Sequence, residues 1–270
     1  ADIHFCVSAD HRAAIDANPH VDAVVPTGQI SFVRLVRTIR RARYDVAIDC
    51  HATPATARLA LLSGARTRIG FDRRWRRSLY THRVPPANRP LYSALEKLSL
   101  LGPLGIHESD CRIDLEATAA NRAEADDFWR AMAVSGSGPI VAWAPVSRRD
   151  YKTWPADRYA AVCDAEFERS GARFLPLFGP GEASHVEHAI GAARHRDAFL
   201  YPRPALSFGA LRPVLERCAL YFGNDGGVRH VAIATGVPSV AVFGPADPAC
   251  WTPPGAPQHR VVGGRRPITD

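Results

Sequence analysis

A run near the C-terminal end of the chain gathers the residue types that seat an anionic ligand. Residues 220–222 read as a strand, 223–227 as a polar turn, 228–235 as a short helix and 239–243 as a buried strand. In the turn, Gly226 and Gly227 let the backbone approach a ligand closely. The helix behind them offers unpaired N–H groups and the positive end of its dipole, a natural seat for phosphate. Asp225 stands where a carboxylate either caps the helix or accepts a ligand hydroxyl, and His230 falls in the first helical turn. A second loop, 244–248, leaves the next strand on the same sheet edge, the edge where open α/β sheets bind ligands. An ordinary βαβ unit with turn glycines would show the same pattern, so both readings stand at this point.

Residues 143–155 form a second such stretch. A strand ends at Ala144, a polar loop carries Ser147 and Lys152, and Pro155 opens a helix at a position that suits proline. This loop leaves the sheet on the same edge as the Asp225 turn. Lys152 is either a phosphate contact or a solvated surface lysine. Lys97 and Lys152 are the only lysines in the chain, and arginine carries the remaining positive charge. A third strand-end loop, 177–182, places Glu182 before a helix, a position that an ordinary turn also explains. His185 and His188 share a helix face but lack a third ligand nearby, so a solvated face is the better reading than a metal site.

The elements that must hold these loops alternate along the chain. Strands are expected at 3–7, 23–25, 44–49 and 66–70, with helices at 12–17, 31–41, 54–62, 90–101 and 117–133. The stretch 135–139, rich in Gly and Ser and ending in Pro139, reads as a linker. Beyond it come strands 140–144 and 173–178 and helices 156–170, 183–192 and 208–218, before the 220–251 unit. The fold class is α/β, with two Rossmann-like domains facing a cleft: 1–136, expected to be incomplete, and 137–270.

Composition narrows the function classes. The net charge of +7 suits an anionic partner without choosing among nucleic acid, membrane surface and phosphorylated glycolipid. Six scattered cysteines, with no Cys-x-x-Cys pair, read as reduced and mostly buried thiols of a cytoplasmic protein. No apolar run approaches the length of a membrane span. The dinucleotide fingerprint and the Walker P-loop are both absent, which argues against a nicotinamide-dependent dehydrogenase and a P-loop ATPase.

The 220–251 segment resembles the C-terminal signature of glycosyltransferase family 9, the ADP-heptose:lipopolysaccharide heptosyltransferases. Asp225, Gly227, His230, Gly236, Pro238, Gly244, Pro245, Asp247 and Pro248 carry the likeness. Gly226 departs from it, because the family usually has a hydroxyl residue there. Lys152, Trp154 and Pro155 match the family's Lys-x-Trp-Pro. The resemblance implies a GT-B arrangement, with Lys152 offsetting charge as ADP leaves and Ser147 bonded to the diphosphate. It implies a donor-contacting glutamate at Glu182, with Glu187 as the alternative. Asp49 and His51 fit an acceptor-facing pattern, with Ala52 in place of its glycine. The cluster Arg66, Arg68, Arg73, Arg74, Arg76, Arg77 and Arg83, interleaved with Phe71, Trp75 and Tyr80, points through the resemblance to an anionic inner-core glycolipid, with Arg73 and Arg74 as contacts. A plain solvated surface is the alternative there.

Family members invert the anomeric carbon in one displacement, with an aspartate base in a Gly-Asp loop after the first strand. This chain begins at what resembles the second strand and stops before the closing helices, so the base is expected outside it. The expected activity is transfer of a heptose from an ADP-sugar to a lipopolysaccharide hydroxyl, without metal or cofactor. The expected setting is the cytoplasm, at the inner face of the membrane. The alternative is a module that binds nucleotide sugar or glycolipid without transfer. A nucleic-acid-binding protein rests on basicity alone.

Overall fold

The computed structural model describes residues 1–265 except Trp75, Arg76, Ala133, Ser135, Arg148 and Arg203, and only the backbone of Asp10 and Asp150. The chain alternates strand and helix, and every strand pairing among the described residues is parallel.

In the first half, β1 (His4–Ser8) pairs with β2 (Ala23–Thr27), and helix α1 (Phe32–Ala42) crosses to β3 (Val46–Asp49). Ser31 caps α1 by accepting the Arg34 N–H. Helix α2 (Pro54–Leu62) follows, then β4 (Thr67–Phe71), β5 (His82–Val84) and α3 (Ser93–Leu98), with β3, β4 and β5 forming a separate sheet. The strands of this half therefore form two small sheets rather than one. β1 and β3 are edge strands, and Phe5, Val46 and Ile48 remain exposed on them. The helix expected at 12–17 is a 3-10 turn, Ala9–Ala14.

The second half is one five-stranded sheet in the order β10-β9-β8-β6-β7: β6 (Ile140–Ala144), β7 (Arg173–Pro176), β8 (Leu220–Asn224), β9 (Ser239–Phe243) and β10 (His259–Gly263). Phe199 adds a parallel bridge to β7 at Phe174. The chain starts this sheet at β6, builds outward through β7, then returns to the other side of β6 with β8. That reversal is a topological switch point, where the loops at the strand carboxyl ends diverge and leave a crevice. Helices α5 (Ala156–Ser170) and α6 (Ala183–Gly191) cover one face, burying Trp143, Tyr159, Phe174, Val186 and Phe222. Helices α4 (Ala119–Met132), α7 (Leu211–Leu215) and α8 (Gly227–Ala234) cover the other, burying Phe128, Leu175, Leu215, Tyr221 and Val231.

Helix α4 thus packs with the second sheet, although it precedes the Gly-Ser stretch read as a linker; Ser135 of that stretch lies outside the described residues. All six cysteines are free, but only Cys163 and Cys218 are buried, whereas Cys6 and Cys50 are exposed. The expectation of mostly buried thiols is corrected accordingly. Among the described residues, no helix is long and apolar enough to cross a membrane.

Candidate functional site at the sheet switch point

β6 and β8 lie side by side, with Ala144 level with Gly223, so their carboxyl-end loops emerge together. Packing there is tight: a Cβ on Gly223 would stand 2.3 Å from the Ala144 carbonyl oxygen. Asn224, the last residue of β8 and almost fully buried, ties the two loops to each other. Its Oδ1 accepts from the Trp154 backbone N–H at 3.2 Å and the Tyr159 hydroxyl at 2.9 Å, and its Nδ2 donates to the Pro145 carbonyl at 2.7 Å. The sequence puts Asn224 in the turn 223–227, whereas it ends β8; an amide side chain directly after an apolar strand and before Asp225 is the signal the sequence carries.

The Asn224 tether holds the Lys152 loop over the β8 turn. Lys152 lies in a 3-10 turn, Asp150–Lys152, and its Nζ stands 3.6 Å from Asp225 Oδ2. Behind them α8 begins at the Gly226 N-cap with no side chain capping it. Asp225 therefore does not cap the helix, and its Oδ1 is buried without a hydrogen-bond partner. Gly226 has extended backbone at φ −156°, and a Cβ built on Gly226 or Gly227 would meet nothing within 4 Å. The turn is thus open where side chains would stand, no side chain caps the helix, and a cation lies beside Asp225.

Arg229, one turn into α8, is fully buried and was not singled out from the sequence. Its Nη1 donates to the Trp251 carbonyl and its Nη2 to Thr252 Oγ1, both at 2.9 Å. The guanidinium lies over the Phe243 ring at 5.0 Å, and Nη1 stands 3.8 Å from Asp225 Oδ1. One carboxylate is therefore flanked by two cations, so the group carries net positive charge. His230 packs beside Trp251, with ring centroids 5.9 Å apart. Burial, more than the opposing pull of Asp225, lowers its pKa and favours the neutral imidazole. Burial lowers the pKa of Arg229 and raises that of Tyr92, from the first half of the chain, and each opposes the other's shift.

The other residues singled out from the sequence fall around or away from this group. Ser147 lies in the same loop as Lys152, where its Oγ accepts the Arg149 N–H; Arg148 lies outside the described residues. Glu182 turns back on its own loop, Oε2 accepting the Gly179 N–H at 2.6 Å, and no described contact joins it to Lys152 or Asp225. Glu187 accepts from the Tyr201 hydroxyl. His185 and His188 are exposed, and no cluster of metal-ligating residues occurs among the described residues. Asp247 caps the turn Pro248–Cys250 and pairs with Arg265.

On the acceptor side, Asp49 is buried and fully engaged. Its Oδ1 accepts from the His51 and Ala52 backbone N–H groups, and its Oδ2 from Thr56 Oγ1 at 3.0 Å and the Tyr80 hydroxyl at 2.7 Å. A carboxylate with both oxygens so occupied shapes the β3–α2 turn and does not present itself to a ligand. His51 is exposed at that turn. Ala52 adopts φ +52°, the left-handed conformation that suits glycine. In the arginine cluster, Arg68 bonds the Leu79 and Ala65 carbonyls and Arg77 makes a two-pronged pair with Asp72. Arg73 and Arg74 stay exposed without an ion-pair partner among the described residues; Trp75 and Arg76 lie outside them.

The geometry can be set beside known proteins. Lipopolysaccharide heptosyltransferase 3 of Escherichia coli is 27% identical over 233 residues, covering 83% of this chain and 66% of that protein. The chain thus spans about two thirds of the length of the curated relatives it matches, 66% and 64%. Among solved structures, a glycosyl transferase family 9 protein from Veillonella parvula superposes with a TM-score of 0.79 at 21% identity, over 97% of this chain and 76% of that one. E. coli ADP-heptose lps heptosyltransferase II gives 0.76 at 20% identity, over 97% and 81%. These likenesses establish a GT-B fold. The family's sequence pattern matches residues 32–268, well over half of the chain, and the chain belongs to glycosyltransferase family 9, the heptosyltransferases.

Proposed function

We propose that this chain acts as an inverting glycosyltransferase that moves a heptose, or a related sugar, from an ADP-sugar to a hydroxyl of the lipopolysaccharide inner core. The observation that carries this reading is the convergence of Lys152, Asp225 and the uncapped start of α8 at the sheet switch point. A leaving nucleoside diphosphate gains negative charge as the glycosidic bond breaks. A cation and a row of fixed N–H dipoles aimed at that charge favour its departure without reorganising, and the reading calls on no cofactor for this step. Asp225, just before α8, would take a donor hydroxyl, and neutral His230 would contribute a hydrogen bond rather than a charge. Ser147 and Glu182 are kept as donor contacts of the bound state, in which Glu182 would have to release Gly179.

The relative named for heptosyltransferase 3 and the structure named for ADP-heptose support heptose and ADP as the sugar and nucleotide. Arg73 and Arg74, exposed on the first half with His51, are proposed to meet an anionic glycolipid acceptor at the inner face of the cytoplasmic membrane. Asp49 is tied into its turn, so it is not proposed as the base. That same observation favours a second reading, a module that binds donor or glycolipid without transfer. An assay of ADP release from ADP-heptose, with and without heptose-deficient core oligosaccharide, separates them. Acceptor-dependent release supports transfer. Donor binding without release supports the binding module.

A further inference from the structure

The two cations that flank Asp225 differ in freedom. Lys152 reaches it from a loop on a flexible stem and keeps about a quarter of its side-chain surface exposed, 27%. Arg229 has none exposed. Its fork is committed to the Trp251 carbonyl and Thr252 Oγ1, and its plane to Phe243, a combination that the planar guanidinium serves and an ammonium does not. Its position on α8 keeps it beside the Asp225 oxygen that lacks any hydrogen bond. An anion arriving at the uncapped N-terminus of α8 would draw Lys152 toward itself. Asp225 would then be left as a nearly buried carboxylate facing a diphosphate, a costly arrangement unless a second cation stays in place.

We propose that Arg229 is the fixed counter-ion of Asp225, a positioning residue that lets Lys152 pass from Asp225 to the donor diphosphate. The inference rests on the donor-site reading above and goes beyond it in assigning a role to Arg229. Until the ligand arrives, Asp225 holds Lys152 near the place it will occupy. Once the ligand is bound, Arg229 alone neutralises Asp225.

Calorimetric titration with ADP and with inorganic pyrophosphate tests this on the 270-residue chain. The variants are Arg229→Gln, which removes the charge but keeps a donor for the Trp251 carbonyl, Arg229→Lys, Asp225→Asn and the double variant Arg229→Gln/Asp225→Asn. Circular dichroism melts check that each is folded. Arg229→Gln should weaken both ligands by about tenfold, while the same change in the Asp225→Asn background should cost less than about threefold. Arg229→Lys, keeping the charge but not the fork, should recover part of the loss. Equal losses in the two backgrounds would mean that Arg229 acts only by anchoring Trp251 and Thr252, and would overturn the proposal. So would an Arg229→Gln protein that binds like wild type. A folded wild type that binds neither ligand would instead remove the donor-site reading, and this inference with it.

Discussion

Lys152 Nζ stands 3.6 Å from Asp225 Oδ2, across the point where the chain reverses its direction of sheet building. The two residues are far apart in sequence and come from different loops. They meet because β6 and β8 are neighbours and their carboxyl ends lie level, Ala144 beside Gly223. The contact is one of position as much as of charge. It sets a partly exposed cation beside the turn that opens into a helix no side chain caps.

The tether beneath that contact is Asn224. Replacing it with alanine strands the Pro145 carbonyl, the Tyr159 hydroxyl and the Trp154 N–H in a buried setting. Loss of these bonds should destabilise the protein by roughly 2–4 kcal/mol in urea unfolding. The loosened loop should also bind ADP more weakly than wild type. An Asn224→Ala protein as stable as wild type would show that the loop is held by other contacts.

Ala52 offers the opposite sign. Its φ of +52° costs an L-residue roughly 1–2 kcal/mol, and glycine avoids that cost while giving back part of it as unfolded-state entropy. The Ala52 methyl is buried against Ile69 and Phe71, which offsets part of the gain, so Ala52→Gly should stabilise the chain by no more than about 0.5 kcal/mol, read as a shift of the urea midpoint at constant slope.

Gly226 can accept a hydroxyl. Its backbone is extended, nothing lies within 4 Å of a Cβ placed there, and it is the N-cap of α8. Serine caps better than glycine by a few tenths of a kcal/mol, and its hydroxyl would face the proposed phosphate. Gly226→Ser should raise the melting temperature slightly and tighten ADP binding, by up to about tenfold. Weaker binding would place the phosphate elsewhere.

Burial lowers the pKa of both His230 and His259, the latter bonded to the buried Ser239 hydroxyl. Each is more readily protonated in the unfolded chain, so unfolding takes up protons once pH drops below the unfolded value of about 6.5. Stability is full above that value and should be lost as pH falls through the lower folded values, before most carboxylates titrate. Urea midpoints measured from about pH 7.5 to 5 should show this decline, and His259→Gln should flatten it.

Several element bounds were legible because strong local punctuation marks them. Pro54 starts α2, Pro155 precedes α5, and Gly171 ends α5 in the left-handed conformation. The strands 140–144 and 239–243 stood out as apolar runs and match β6 and β9. Where punctuation was weak the reading slipped. The helix expected over 208–218 is only α7, Leu211–Leu215, and the short strands β5 and β10 were not read at all. Pairing in the first half was not legible, since which edges meet is decided by contacts remote in sequence. The same holds at the site. Lys152 and Asp225 were visible as residue types at strand ends. The engagement of Asp49, the tether at Asn224 and the buried fork of Arg229 depend on partners that only the folded chain supplies.

The most direct test of the central claim is calorimetric titration of the 270-residue chain with ADP, wild type beside Lys152→Ala. The expected result is saturable binding by wild type and a loss of about tenfold or more in the variant, as removal of a charge-assisted contact implies. A folded wild-type chain that does not bind ADP, or a Lys152→Ala protein that binds it equally well, would contradict a diphosphate site at the start of α8.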